Sequence, residues 1–363
     1  MTRHALPGIL TLTHSSRTTN LERCSPQFLV RRFDSPCRLK KLPPVDDLRR
    51  APVLYSGAVS FLRVGGTDAN PTFTPAGAIR HHDKIQHATF LPRLGDGQGE
   101  DRLLVAFEHR LEIWRLQTGG DGTFSGYTRN LRLEHPHLAG VHTVDPWIAT
   151  DGQERALVSC AAADALLIAN LTTGRIERTL RLPSELYGQG YPLALSHDLR
   201  HHYIPDRYQT THVNCATLVP GSTQRRAVYS TLTQGAIGLC DLERGTWCEI
   251  TRGFVGCHGA RANAAGTLYF TDSTTGTLVF LNLAGQITYR YAVPSRWLHD
   301  ALPITDRLWA FALADRNELR IYDLDEDRLA YRQPFPLRQD LHPEDAGLWL
   351  GDSTQALAWC HPS

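Results

Sequence analysis

Lysine is almost missing from this chain of 363 residues: only Lys40, Lys41 and Lys84 are present, although Lys and Arg together number 38. Arginine carries the positive charge instead, which fits GC-rich codon usage and needs no functional reason. Asp and Glu number 37, leaving a net charge of +1. So even a balance gives no bulk attraction to nucleic acid or to an anionic membrane surface. No apolar run approaches the roughly 18 residues that a membrane-crossing helix needs. A Gly-rich phosphate loop and a GxSxG elbow are both missing, which sets nucleotide and serine-nucleophile chemistry aside. The eight cysteines include no CxxC pair and no zinc-finger spacing, so a reducing, cytoplasmic setting is expected. Cys240 and Cys248 flank a turn in LCDLERGTWC. A disulfide is open there, but two small buried apolar side chains are the preferred reading.

Residues 1–50 differ from the rest. They hold ten Arg or Lys against four Asp or Glu, and are rich in Ser, Thr and Pro. The apolar piece Ala5 to Leu12 is broken by Pro7 and Gly8, so a secretory leader is not expected, while a basic, acid-poor leader stays open. The expected organisation is a basic N-terminal arm over 1–50 and a single domain over 51–363.

What the chain does contain is a repeat. Five stretches pair a turn with an apolar strand: EHRLEIWRL, AADALLIANL, LTQGAIGLCDL, TTGTLVFLNL and DRNELRIYDL. Four of them end in Asn or Asp before Leu (Asn170, Asp241, Asn282 and Asp323), and Arg115 takes that place in the first. An apolar strand lies upstream of each and a more polar one downstream. The unit is four short antiparallel strands recurring at 41 to 71 residues. Such units bury their faces only against neighbours and close into a ring. The expected fold is all-β, a six-bladed β-propeller, with five blades and a cap from the two ends as the alternative. LWLGDSTQALAWC near the C-terminus resembles LYFTDSTTGTLVFL, and SGAVSFLRVGG near the N-terminus resembles TGTLVFLNLAG. The sixth unit is therefore expected to join N- and C-terminal strands and latch the ring.

Each unit opens on a histidine. His87 and His142 lie 28 residues before Arg115 and Asn170, His212 lies 29 before Asp241, and His258 and His299 lie 24 before Asn282 and Asp323. His342 takes the place in the partial sixth unit. The first strand of a blade lines the central channel, so equivalent positions form a ring around the axis. Six imidazoles at one mouth predict a metal site, with three or four ligands and an open position. A segment that lengthens the second unit, PSELYGQGYPLALSHDLRHHYIPDRYQTT, is expected to wall or cover that mouth, as is the pair His81 and His82. Asp300, Asp145 and Tyr203 are candidate catalytic groups. His82, His202 and Arg261 are candidate substrate contacts, Arg261 for a carboxylate.

The blade pattern resembles the NHL and gluconolactonase-type propellers over residues 87–360. In taking axial histidines from separate blades, the chain is similar to two propeller enzyme groups. Peptidyl-hydroxyglycine amidating lyases hold zinc with three histidines, and carotenoid cleavage oxygenases hold ferrous iron with four. The chain is shorter than the oxygenases. The resemblance implies a ligand set at His142, His212, His258 and His299. An all-imidazole site without a ligating carboxylate points to iron or copper, hence to an oxidase or oxygenase acting on a small organic substrate. Zinc as a Lewis acid in a lyase or hydrolase is the alternative. A non-catalytic propeller that presents one face to a protein is a third. Nucleic-acid and membrane partners are not expected.

Overall fold

In this computed structural model the described residues are 8–18, 55–67, 69–92, 101–188, 197–199, 210–221, 225–335 and 349–360. The chain begins with β1 (Gly8–Thr18), β2 (Tyr55–Thr67) and β3 (Asn70–His81). Five four-stranded meanders follow. Blade one is β4 (Ile85–Phe90), β5 (Arg102–Phe107), β6 (Arg110–Thr118) and β7 (Phe124–Glu134). Blade two is β8 (Val141–Ile148), β9 (Glu154–Cys160), β10 (Ala165–Asn170) and β11 (Arg175–Arg181). Blade three is β12 (Val213–Leu218), β13 (Arg226–Thr231), β14 (Ala236–Asp241) and β15 (Thr246–Thr251). Blade four is β16 (Cys257–Ala262), β17 (Leu268–Asp272), β18 (Thr277–Leu281) and β19 (Ile287–Ala292). Blade five is β20 (Leu298–Pro303), β21 (Leu308–Leu313), β22 (Glu318–Asp323) and β23 (Arg328–Pro334), and β24 (Trp349–Cys360) ends the series.

Burial explains the strand order. The second and third strands of a blade are sandwiched between neighbouring blades and read as continuous apolar runs, such as LLVAF of β5 and ALLIAN of β10. The fourth strands read RIERTLR, TWCEIT and ITYRYA and are half-buried to exposed. Charged side chains on such an edge discourage pairing with another chain. The Asn/Asp-Leu signature is a turn device. Asn170 Oδ1 accepts the Thr173 N–H at 2.9 Å, and Asp241 Oδ1 accepts the Arg244 N–H at 2.9 Å. Asn282 Oδ1 accepts from Ala284 and Gln286, both at 3.0 Å. Each side chain thus builds the tight turn into the fourth strand.

Pairing also shows how the ring closes. β24 pairs with β1, β1 with β2, and β2 with β3. Blade six is therefore β24, β1, β2 and β3 from axis to rim. β24 packs beside β20 on one side and β4 on the other. The outermost strands β3 and β7 touch through one parallel bridge, Gly77 to Phe124. Gly77 has φ +103°, and a Cβ there would sit 2.1 Å from the Phe124 carbonyl oxygen, so only glycine fits. Six apolar clusters lie one at each junction. Leu104 and Ile113 meet Val144 and Leu167 between blades one and two. Leu10, Leu62 and Leu357 meet Leu308 and Ile321 between blades six and five. Val59 and Phe61 meet Leu103 and Trp114 between blades six and one.

The propeller stands as expected, and counted by pairing the described strands make six four-stranded units. Three readings of the sequence are corrected. Gly8–Thr18 is a strand inside the ring, so an arm over 1–50 does not hold at that stretch; residues 19–54 lie outside the described residues. Trp349–Cys360 is one inner strand rather than the second and third strands of a blade. Cys240 stands opposite Trp247, not Cys248, and both cysteines are free, Cys240 buried and Cys248 exposed. No described helix is long and apolar enough to cross a membrane.

Candidate site at the axial mouth

The inner strands all start alike. Their first paired residues are Ile85, Val141, Val213 and Cys257, opposite Phe107, Cys160, Thr231 and Asp272. Leu298 opposite Leu313 does the same in blade five. A register shift follows that first pair in blades one, two, three and five; in blade four His258 itself pairs with Thr271 and the shift comes directly after it. One extra residue bends the strand and re-aims its side chain. The residue immediately after the first pair is Gln86, His142, Asn214, His258 and His299 in blades one to five. In β24 the same shift falls between Thr354 and Ala356, which puts Gln355 at the equivalent register.

These five side chains line one small cavity with Thr143, Gly259 and Asp300. Its volume is about 10 Å³, room for a single water at most. An organic molecule therefore meets these groups from the mouth and does not sit between them.

Small polar residues of the second strands pin the bulges. Ser159 Oγ accepts the Thr143 N–H at 2.9 Å, and Ser230 Oγ donates to Asn214 Oδ1 at 2.8 Å. Thr271 Oγ1 donates to the His258 carbonyl at 3.2 Å. Asn214 Nδ2 bonds the Cys257 carbonyl at 2.6 Å and ties blade three to blade four.

His258 and His299 are the closest pair of rings at the mouth, with centroids 4.4 Å apart. His258 Nδ1 lies 2.8 Å from both the Gly256 carbonyl and Ser273 Oγ. A carbonyl only accepts, so Nδ1 carries the hydrogen and Nε2 keeps its lone pair. Burial first, then the neighbouring His299, holds the His258 pKa well below the ordinary histidine value. His142 is held well below it too, by burial and then by His212, Lys84, His258 and His299. Both imidazoles are neutral at neutral pH.

Two predicted histidines lie off the ring. His87 stands one residue beyond the aligned position. It is buried beside Arg261 and Asp300 and hydrogen-bonded to the Leu357 backbone, and burial lowers its pKa to about 4. His212 stands two residues before the aligned Asn214, with φ +47°. Its N–H donates to Asp164 Oδ1 at 3.0 Å, and its ring packs 4.9 Å from that of His142. His87 and His212 thus differ in backbone register from His142, His258 and His299. His342, His202 and Tyr203 lie outside the described residues. So do 189–196 and 200–209 of the excursion expected to cover the mouth. Of its described part, Ser184, Glu185 and Gly188 are exposed, whereas Tyr187 is buried, with its hydroxyl 2.7 Å from that of Tyr229. His82 stacks on His81 at 4.2 Å and does not line the cavity.

Asp300 and Arg261 hold each other. Arg261 Nη1 donates to Asp300 Oδ1 at 2.5 Å and Nη2 to Oδ2 at 2.9 Å. Arg261 also donates to the carbonyls of Gly259, Ala301 and Leu357. Its terminal nitrogens are thus committed inside the protein, not open to a substrate carboxylate. Asp300 further accepts the N–H groups of Ala301 and Leu357. Gly259, at φ +60°, makes room for this pair: a Cβ there would meet Asp300 Oδ1 at 2.4 Å. Asp145, deeper in the channel, accepts the Leu218 N–H at 2.6 Å, and burial raises its pKa to about 6. Asp300 and Asp145 are thus both bound within the wall.

Among the described residues, one group of three or more His, Cys, Asp or Glu donors lies within 4.8 Å of one another: His81, His82 and Asp83. Asp83 is already paired with Arg110 at 2.7 Å. The axial imidazoles do not converge in that way, so the described donors do not form a ready four-histidine metal set.

No protein-family model and no curated protein matches this chain. Solved structures similar to it include two lyases. Virginiamycin B lyase from Staphylococcus aureus is 12% identical over 78% of this chain and 82% of that chain, with a TM-score of 0.43. A streptogramin B lyase structure is 10% identical over 77% and 80%, with a TM-score of 0.44. Likeness this distant transfers no activity, and the fold rests on the strand pairing above. Both neighbours are named as lyases, not oxidoreductases. The expectation of an iron or copper oxidoreductase is corrected on those names alone. The resemblance to NHL propellers and amidating lyases reduces to a propeller of unassigned family.

Proposed function

We propose that the axial mouth is the active site of a lyase- or hydrolase-class enzyme that moves a proton on a small polar organic molecule. The observation that carries this reading is the His258–His299 pair. Two imidazoles from different blades lie 4.4 Å apart. The tautomer of His258 is set by the Gly256 carbonyl, which leaves Nε2 able to take a proton. A neutral, oriented imidazole is what general-base catalysis requires. His299 is placed to receive or return that proton, and His142 adds a third polar edge. The wall behind them, Arg261–Asp300, is rigid and fully engaged, which suits positioning rather than reaction.

Zinc is a second reading, favoured by three imidazoles around a one-water cavity, of which His142 and His258 are in the neutral, ligating form. As placed, their nitrogens need side-chain rotation before three could bind one ion.

The test is a panel of small esters, lactones and elimination substrates, assayed with the purified protein, with His258→Gln and with His299→Gln. The proposal expects turnover that survives chelation and falls at least a hundredfold in both variants, a loss typical of removing an acid–base group. Chelator-sensitive turnover restored by zinc would favour the second reading. Turnover that neither substitution changes would overturn both. A wild type inert on the whole panel would favour a protein-binding propeller.

A further inference from the structure

The opposite face of the ring carries a pocket that the proposed activity does not use. It lies between blades four and five, at the far end of β20 from His299. Its volume is about 290 Å³, and Tyr269, Phe280, Tyr289 and Trp309 line it together with Asp306 and Asp325. The rings stand at steep angles to one another. Tyr269 and Trp309 are 5.0 Å apart at 84°, Phe280 and Trp309 5.3 Å at 75°, and Phe280 and Tyr289 5.6 Å at 49°. Tyr269 and Trp309 are each only 5% exposed, while Tyr289 is 49% exposed at the edge. The turns that bear Asp306 and Asp325 bring two carboxylates to this aromatic wall.

We propose that this pocket binds a quaternary ammonium group. Aromatic faces carry negative quadrupole density and attract a cation that has shed its water. A methylated ammonium is round, weakly hydrated and unable to donate hydrogen bonds. It therefore suits a box of inclined rings better than it suits a flat carboxylate fork. Arg307 is engaged by Asp323 and by Glu326, the latter at 3.0 Å, and pairs with Asp325 at 3.6 Å. The Asp306 carboxylate at the rim favours a cation and disfavours an anion. The same head group occurs in free choline-like molecules and in trimethyl-lysine on a protein tail.

Calorimetric titration tests this on the full chain, with choline, its neutral isostere 3,3-dimethylbutanol, and a trimethyl-lysine peptide beside its unmodified form. Choline is expected to bind at least about fivefold more tightly than dimethylbutanol, the lower range of a cation–π contribution. Tyr289→Ala, at an exposed edge, is expected to weaken choline by a similar factor without unfolding the blade. Asp306→Asn keeps the main-chain carbonyl that accepts from Trp309 and should also weaken it. Tighter binding of the trimethylated peptide than of choline would assign a protein tail, and equal binding the free molecule; both support the site. No binding of choline or of the methylated peptide, or equal binding of choline and dimethylbutanol, overturns it.

Discussion

Arg261 of blade four and Asp300 of blade five share the C-terminal strand between them. Arg261 Nη2 donates to the Leu357 carbonyl at 3.3 Å, and the Leu357 N–H donates to Asp300 Oδ2 at 2.9 Å. The ion pair thus holds both backbone groups of one residue of β24, the strand that closes the ring. Arg261→Met would leave Asp300 buried without its partner. The expected loss is about 3–5 kcal/mol in urea unfolding. Arg155→Ala, which breaks a more exposed pairing with Asp151 and Glu177, is expected to lose under about 1 kcal/mol. Equal losses would contradict the clamp.

Asp145 should make the fold less stable as pH rises. Its folded pKa of about 6 lies above the unfolded value. The native state therefore keeps a proton that the unfolded chain has lost. The contribution is fully present below the unfolded pKa and is lost as pH rises through about 6. Asp145→Asn keeps an acceptor for the Leu218 N–H and should gain up to about 3 kcal/mol at pH 8, and nothing near pH 3. Denaturant midpoints at the two pH values check it. A variant no more stable than wild type at pH 8 would contradict it.

His87 has the reverse sign. Its folded pKa of about 4 lies below the unfolded value, so the unfolded chain binds the proton first. Stability falls as pH drops from about 6.5 towards 4, by up to about 3 kcal/mol for this group. In the Asp145→Asn background, where the opposing group is gone, His87→Gln should flatten that fall. An unchanged slope would contradict the assignment.

Gly259→Ala should cost more than Gly152→Ala. Both positions have positive φ, but Gly152 has open space around it, whereas a Cβ on Gly259 meets Asp300. Backbone strain alone costs about 1 kcal/mol or somewhat more, and Gly259→Ala adds the displacement of the ion pair. Thermal unfolding of the two variants compares them, and equal costs would contradict the crowding at Gly259.

Much of the fold was legible because period and turn chemistry are local. The continuous apolar runs, the polar fourth strands and the Asx turns at Asn170, Asp241, Asn282 and Asp323 are all written in short stretches. The ring register was not. Counting to the nearest histidine chose His87 and His212, because unequal loops hide the alignment. The triplets Ile85–Gln86–His87, Val141–His142–Thr143, Val213–Asn214–Cys215, Cys257–His258–Gly259 and Leu298–His299–Asp300 share a buried residue followed by a polar one. That pattern names Gln86 and Asn214 as the missed members. It gains meaning only with the bulge, which depends on the second strand and is silent in sequence. The partnership of Arg261 with Asp300 was likewise hidden, since it spans two blades.

The proposed chemistry depends on His258 being a neutral imidazole with its proton on Nδ1, next to His299. Nitrogen-15 NMR of histidine-labelled protein at pH 7 reads this directly, with His258→Asn for assignment. The account predicts the neutral Nδ1–H form, with a resonance that moves in His299→Gln. A cationic ring at pH 7, an Nε2–H tautomer, or a signal indifferent to His299 would contradict it.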